Sequence, residues 1–472
     1  MCAPASTASA AASGARDRVV AAVTSANPIT ARETAALFAG LDRPLALAVS
    51  GGVDSMALLH LIAVWRGQGG GIVHPPPIVF TVDHGLRAEA AGEAAFVASV
   101  ARALGFAHRT LAWTGAKPDA GIQDAARRAR YELLLGELAR EPVCRDLVLA
   151  HTRDDQAETL LMRLARGSGL DGLSAMRPVE CRVVVRLGHP VHEVVIRLCR
   201  PLLGVPKQRL VATAQAQGLK WCDDPSNVDQ RFERVRLRRE EPARAALGLT
   251  AEALARTASR LALERAAALA RVSSLAAAHV SDHGGAYGEF VVPAETTLNP
   301  ADAGRILARL LDVYGGAALA AQLSQIETLV ERALDIRATA VGRLTLAGCI
   351  IDITGGAGAA RRLFVFRECG RAPPETIELQ PGQGHFWDQR FYVSLAPDAQ
   401  AAVTIGPTGS TAPAGPLPRA CYAGLPALLT PDGPRLLFGQ AVLPLVCQWP
   451  PQHVAKLRFI AGNSMALATK SP

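Results

Sequence analysis

Apolar runs of four to six residues at 45–49, 78–82, 107–111, 147–150 and 194–199 alternate with longer stretches of helical spacing at 55–66, 88–104, 122–139 and 155–164. Alternation of this kind predicts a mostly parallel sheet with helices on both faces. Ligands of such sheets bind outside the carboxyl ends of the strands. Ser50-Gly51-Gly52, Asp83-His84-Gly85 and His151 each directly follow an apolar run, so they are expected along one sheet edge although far apart in sequence. From residue 250 to about 334 the pattern turns helical and alanine-rich, with Leu254, Ala258, Leu261, Ala268, Val272 and Leu275 at helical spacing. Asn299-Pro300 supplies an N-cap and a first-turn proline for a further helix. From about residue 343 the character is β. Two apolar runs, 349–354 and 363–367, flank a glycine-rich turn at 355–358 and predict a hairpin. The expected fold class is α/β: a Rossmann-like sheet domain, then a helical domain, then a small β-rich domain. The boundaries expected are a loose Ala/Ser-rich tail over 1–17 and domains over 18–240, 241–340 and 341–472.

Composition narrows this only a little. At 472 residues the chain is too long for one ordinary core, and 49% hydrophobic content supplies enough apolar material for several. The net charge of +8 favours an anionic partner such as nucleic acid. Nine cysteines are scattered singly, with no CxxC pair, which argues against a zinc ribbon or a thiol redox pair and fits a reducing compartment. The first fifteen residues lack the basic start and apolar core of a signal peptide, and no apolar run approaches membrane-spanning length. The expected location is the cytoplasm, with no membrane partner.

The candidate chemistry begins at Ser50-Gly51-Gly52-Val53-Asp54-Ser55, set between an apolar run and a helical one. A helix N-terminus has unpaired N–H groups and partial positive charge, which suit a phosphate. The glycines let the backbone approach it closely. No lysine follows, so this is not the GxxxxGK[ST] loop, in which lysine reaches the outer phosphates. A second segment, Ala150-His151-Thr152-Arg153-Asp154-Asp155-Gln156-Ala157-Glu158-Thr159, puts Asp155 and Glu158 at i,i+3 on one helix face. Such a pair suits a cationic substrate or a magnesium ion with ATP, and equally suits plain N-terminal capping. Arg127 and Arg130, after Gln123, fit phosphate or a solvated basic face. Arg231, Arg234, Arg236 and Arg238 follow Trp221-Cys222-Asp223-Asp224-Pro225-Ser226-Asn227 and fit a phosphate-backbone surface or a solvated helix.

Seven ordered segments together resemble one family of ATP pyrophosphatases, the tRNA(Ile)-lysidine synthetases. They are SGGVDS at 50–55, DHGL at 83–86, Q-x-x-AR-x-x-RY at 123–131, AH-x-x-DDQAET at 150–159, RGSGLDGLSAM at 166–176, RPLL at 200–203 and W-x-DDPSN at 221–227. Weaker pieces lie at Leu346–Cys349, Arg367-Glu368 and Trp387–Phe391. One departure is Val235, where the family usually has asparagine. The resemblance implies a PP-loop catalytic domain of adenine nucleotide α-hydrolase type over 18–240 and a tRNA-binding helical domain over 241–340. It implies ligation of lysine to carbon 2 of the wobble cytidine of a CAU-anticodon tRNA(Ile), through an adenylated cytidine, with release of AMP and pyrophosphate. ATP is then the co-substrate and Mg2+ the cofactor. The implied roles are Asp54 and Asp155 in catalysis, with Asp54 toward magnesium. Ser50, Gly51, Gly52, Val53, Asp54, Ser55 and Arg127 would bind ATP, Asp155 and Glu158 free L-lysine, and Arg231, Arg234, Arg236 and Arg238 tRNA. A homodimer is one assembly left open. A sulfur-transferring relative would need paired cysteines, which Cys181, Cys199 and Cys222 do not offer. A non-catalytic ATP sensor would leave Asp155 and Glu158 without a purpose.

Overall fold

The computed structural model describes residues 27–70, 74–118, 121–186, 192–222, 231, 233–283, 285–294, 298–316, 321–335, 342–355, 359–409, 419–436 and 445–448. The N-terminal tail and the Asp223–Asn227 segment lie outside them. The chain divides into two compact units, one running to Arg265 and the other from Ala266. Among the described residues no helix is long and apolar enough to cross a membrane.

The first unit runs α1 (Ala31–Phe38), β1 (Leu45–Ala48), α2 (Val53–Gly67), β2 (Ile78–Asp83), α3 (Ala90–Ala103), β3 (Ala107–Ala112), α4 (Ile122–Arg140), β4 (Asp146–Val148), α5 (Arg153–Ala165), α6 (Leu170–Leu173), β5 (Val179–Arg186), β6 (His192–Cys199), α7 (Lys207–Ala216), α8 (Glu233–Arg239) and α9 (Glu241–Ala246), with the start of α10 (Ala251–His279). The sheet order is β3-β2-β1-β4-β6-β5. Its pairs from β3 through β6 are parallel. Strand β1 shows why helices cover both faces. Leu45, Leu47 and Val49 pack with Leu58, Val97 and Leu210 on one side, and Ala46 and Ala48 pack with Leu134 and Leu138 on the other. A strand buried on both faces reads as a continuous apolar run. Because its strands are parallel, their carboxyl ends share one edge, and residues 49–55 and 149–155 both emerge there.

The second unit begins inside the stretch expected to be helical. Strands β7 (Val280–His283) and β8 (Tyr287–Val292) precede α11 (Pro300–Tyr314) and α12 (Leu323–Leu334), and then come β9 (Gly342–Leu346), β10 (Cys349–Thr354) and β11 (Arg361–Arg367). The expected hairpin is present as the antiparallel pair β10–β11. The five strands form one antiparallel sheet in the order β7-β8-β11-β10-β9. Ile306, Leu310 and Val330 of the helices bury one face with Phe290, Ile351 and Val365. Tyr287 and Phe366 on the other face pack with Trp387, Phe391 and Ile405, which come from smaller antiparallel sheets farther along the chain.

Candidate active site

Residues 49–52 form the turn from β1 into α2. Gly51 has φ +89°, a left-handed value that favours glycine. The turn is held at both ends. Ser55 Oγ donates to Gly52 O at 2.9 Å and accepts from Ser50 N at 3.2 Å. Cys222 N donates to Gly51 O at 2.9 Å. The first N–H groups of α2 have no intrahelical partner and face the same end of the sheet. Asp54 sits in this first turn. Its Oδ2 accepts from Lys207 Nζ at 2.5 Å, while its Oδ1 is buried without a partner. Burial pushes the Asp54 carboxyl above its ordinary value, against the opposing pull of the Lys207 ammonium.

The second acidic group is built on α5. Thr152 caps this helix in a capping box: Asp155 Oδ2 accepts from Thr152 N at 2.8 Å and from Thr152 Oγ1 at 2.9 Å. Burial alone would raise the Asp155 carboxyl, but these hydrogen bonds and the neighbouring positive charges outweigh it and hold it below its usual range. Glu158, one turn on, is 3% exposed. Arg238 of α8 grips it through Nε at 2.5 Å and Nη2 at 3.1 Å, and the same Nη2 lies 3.7 Å from Asp155 Oδ1. Burial still leaves Glu158 raised, with Arg238 opposing. Asp155 therefore serves Thr152 with one oxygen while the other faces the Arg238 guanidinium. Lys207 links the loop to the start of α5, bonding Asp54 through Nζ and Asp154 through its backbone N.

Around this pair the scaffold is specific. Gln156 clamps the end of the RGSGLDGLSAM segment, donating to Met176 O at 2.6 Å and accepting from Met176 N at 2.9 Å. Arg163 donates to Gly172 O at 2.7 Å and Ala175 O at 3.1 Å. A side chain at Gly172 would meet Ser168 Cβ at 2.5 Å, so the loop is tight as well as glycine-rich. His151 is half-buried, and its buried Nδ1 has no partner. Burial drives its pKa down to about 3, against the pull of Asp155 and helped by Arg200, Arg130 and Arg127.

The remaining candidates separate by position. Arg127 is exposed on α4, with its guanidinium 5.4 Å from the Tyr131 ring. It acts on His151 through charge. On α8, Arg234 and Arg238 are half-buried on the face toward α5, whereas Arg231 and Arg236 are exposed and Arg236 Nη1 donates to Arg231 O at 3.1 Å. Sequence reasoning noted Lys207 after the RPLL segment but assigned it no role. Its signal was available, since it follows the β6 strand at the same sheet edge and opens a helix. Its backbone N also donates to Asp154 Oδ2 at 2.7 Å, which ties the start of α7 to the start of α5.

Residues 27–245 match the PP-loop domain family. The tRNA(Ile)-lysidine synthase of Bradyrhizobium diazoefficiens is 45% identical over 70% of this chain and 93% of its own. That of Methylobacterium nodulans is 46% identical over 66% and 87%. That of Rhizobium meliloti is 33% identical over 84% and 85%. With a PP-loop domain and relatives matched along most of their length, the chain belongs to the tRNA(Ile)-lysidine synthase family, the ATP-using ligases that modify tRNA(Ile).

Proposed function

We propose that this chain joins free L-lysine to carbon 2 of the wobble cytidine of CAU-anticodon tRNA(Ile), with residues 50–55 holding ATP and Asp155 with Glu158 holding a cationic nitrogen of lysine. The observation that carries this reading is a phosphate-type loop and the Asp155–Glu158 carboxylate pair at one sheet edge, linked through Lys207. The cytidine O2 attacks the α-phosphorus of ATP and pyrophosphate leaves with the electrons of the broken bond. The lysine ε-amine, having lost a proton, then attacks carbon 2, and AMP departs. The chain's contribution is position and charge. The first N–H groups of α2 and the hydroxyls of Ser50 and Ser55 donate toward phosphate. Arg127 of α4 would add a phosphate contact. Arg231 and Arg236 face solvent, where tRNA phosphates would lie.

Magnesium fits at Asp54. Its buried Oδ1 has no protein partner, and among the described residues no cluster of three ligating side chains supplies a metal cage. That pattern suits an ion bound through one carboxylate plus substrate phosphates, which would neutralise charge on the phosphates when bound. The substrates are ATP, free lysine and tRNA, and we place the enzyme in the cytoplasm with them.

The deciding assay is tRNA-dependent AMP release measured with and without radiolabelled lysine, using a CAU-anticodon transcript. Lysine incorporation that disappears in Asp54→Ala is expected. AMP release with no transfer of label to the tRNA would overturn the reading.

A further inference from the structure

We propose that Lys207 is the phosphate-side cation that the loop at 50–55 lacks, engaging the β- and γ-phosphates of ATP and then the departing pyrophosphate. This rests on the ATP reading above and extends it to a residue outside the loop.

Three helix starts meet at Lys207. It is the first residue of α7. Its backbone N–H is spent on Asp154 Oδ2 at the start of α5, and Arg153 N donates to Val205 O at 3.0 Å beside it. Its Nζ reaches Asp54 Oδ2 in the first turn of α2. The backbone is thus fixed while the ammonium stays at the mouth of the loop. The Lys207 side chain keeps 35% of its exposure and that of Asp54 keeps 23%, so the ion pair is open to an incoming anion. In a GxxxxGK[ST] loop the lysine comes from the loop itself. Here Val53-Asp54-Ser55 occupy that part of the chain, and the cation arrives from a helix about 150 residues later in sequence (153 residues from Asp54).

The pairing also explains how two opposite charges share the place before ATP binds. Asp54 Oδ1 is buried without a partner, and Lys207 supplies the counter-charge on Oδ2. A polyphosphate brings new negative charge to the ammonium. As the α–β bond breaks, the electron pair goes to the pyrophosphate oxygen, and Lys207 offsets the charge that develops there.

The test is direct binding by calorimetry on the full chain, without tRNA or lysine, using ATP, inorganic pyrophosphate and AMP as separate probes. Lys207→Met is expected to weaken pyrophosphate and ATP by roughly tenfold to a hundredfold, the loss of one charge-assisted contact, and to leave AMP within about twofold. Lys207→Arg, which keeps the charge, is expected to recover most of the pyrophosphate affinity. The thermal midpoint of each variant reports its folding, and the AMP titration serves as an internal control for an intact nucleotide site. A Lys207→Met protein that binds pyrophosphate as tightly as the wild type would overturn the proposal, as would an equal loss for AMP and pyrophosphate. A wild-type chain that binds none of the three would overturn the ATP reading itself, which distinguishes the two failures.

Discussion

The guanidinium of Arg238 lies with Nε 2.5 Å from Glu158 Oε1 and Nη2 3.1 Å from Oε2, so the carboxylate proposed for substrate lysine already holds a cation. A carboxylate this buried is costly to keep ionised without one. Substrate lysine must therefore share Glu158 with Arg238 or displace it. The guanidinium sits on α8, a seven-residue helix with no buried residue among those it contains, so little apolar packing resists such a shift.

Glu158→Gln keeps the shape of the side chain and removes the charge. Lysine KM is expected to rise about tenfold or more, while tRNA-dependent pyrophosphate release continues. Steady-state kinetics with lysine and pyrophosphate as separate readouts check this. Equal loss in both would assign Glu158 to the adenylation step instead.

Arg238→Gln removes the charge that opposes burial at Glu158. The Glu158 pKa is already raised by burial and Arg238 lowers it, so the variant raises it further. Capture of an ammonium needs the ionised carboxyl, which exists only above that pKa. The acidic limb of lysine transfer is therefore expected to move to higher pH in Arg238→Gln. An unchanged pH profile for lysine KM would show that Arg238 does not tune Glu158.

Gly51→Ala tests the turn. Alanine at φ +89° is strained by about 1–2 kcal/mol. Its Cβ would also lie 3.4 Å from Cys222 Sγ, closer than most such contacts. A lower denaturation midpoint and weaker ATP binding are expected together. Full ATP affinity in a folded Gly51→Ala chain would mean that the loop tolerates a different backbone.

His151 should make the fold sensitive to mild acid. Its pKa is driven down to about 3 by burial, against about 6.5 in an unfolded chain. Between these values the unfolded state binds the proton and the folded state does not. The stabilising contribution is complete above about pH 6.5 and is lost as pH falls toward 3. Asp155, with a lowered pKa, loses its contribution only below the ordinary carboxylate range, so the window from about pH 6.5 down to 4.5 isolates His151 from it. Chemical denaturation of wild type and His151→Asn across that window is expected to show a shallower decline in the variant.

The sheet edge was legible because parallel strands buried on both faces write themselves as uninterrupted apolar runs, and Ser50, Asp83 and His151 each stand directly after one. Asp155 and Glu158 were legible because helical spacing puts them on one face. The ion pairs were not. Nothing in the spacing connects Asp54 to Lys207 or Glu158 to Arg238, since both depend on how α7 and α8 return to the edge after long excursions. Strands β7 and β8 were missed for a related reason. They are four and six residues long, they follow a 29-residue helix, and β7 pairs with β8, which in turn pairs with β11 some 70 residues farther on. Strand β5 was hidden by its composition, Val-Glu-Cys-Arg-Val-Val-Val-Arg, whose charged positions interrupt the apolar run.

The second unit contains a charge cluster that predicts its weakest substitution. Asp388 accepts from Arg367 Nε at 2.9 Å and Nη2 at 3.1 Å, and from Arg390 Nε at 2.7 Å. The three side chains are 3%, 5% and 1% exposed respectively. Arg367 also donates to Gly348 O and Ala372 O, and Arg390 to Gly424 O, so the cluster ties the β9–β10 turn, the end of β11 and later segments together. Asp388→Ala would leave two buried guanidinium groups with carbonyl partners alone. Removing one partner of a buried ion pair costs about 3–5 kcal/mol, and here one carboxylate serves two arginines. Trp387, buried and donating from Nε1 to Glu375 O at 2.7 Å, places a fluorophore beside the lesion. Its emission is expected to shift at a lower denaturant concentration in Asp388→Ala, while ATP titration in the absence of denaturant stays at the wild-type value. A loss of ATP affinity without an earlier tryptophan transition would contradict the assignment of this cluster to the stability of the second unit.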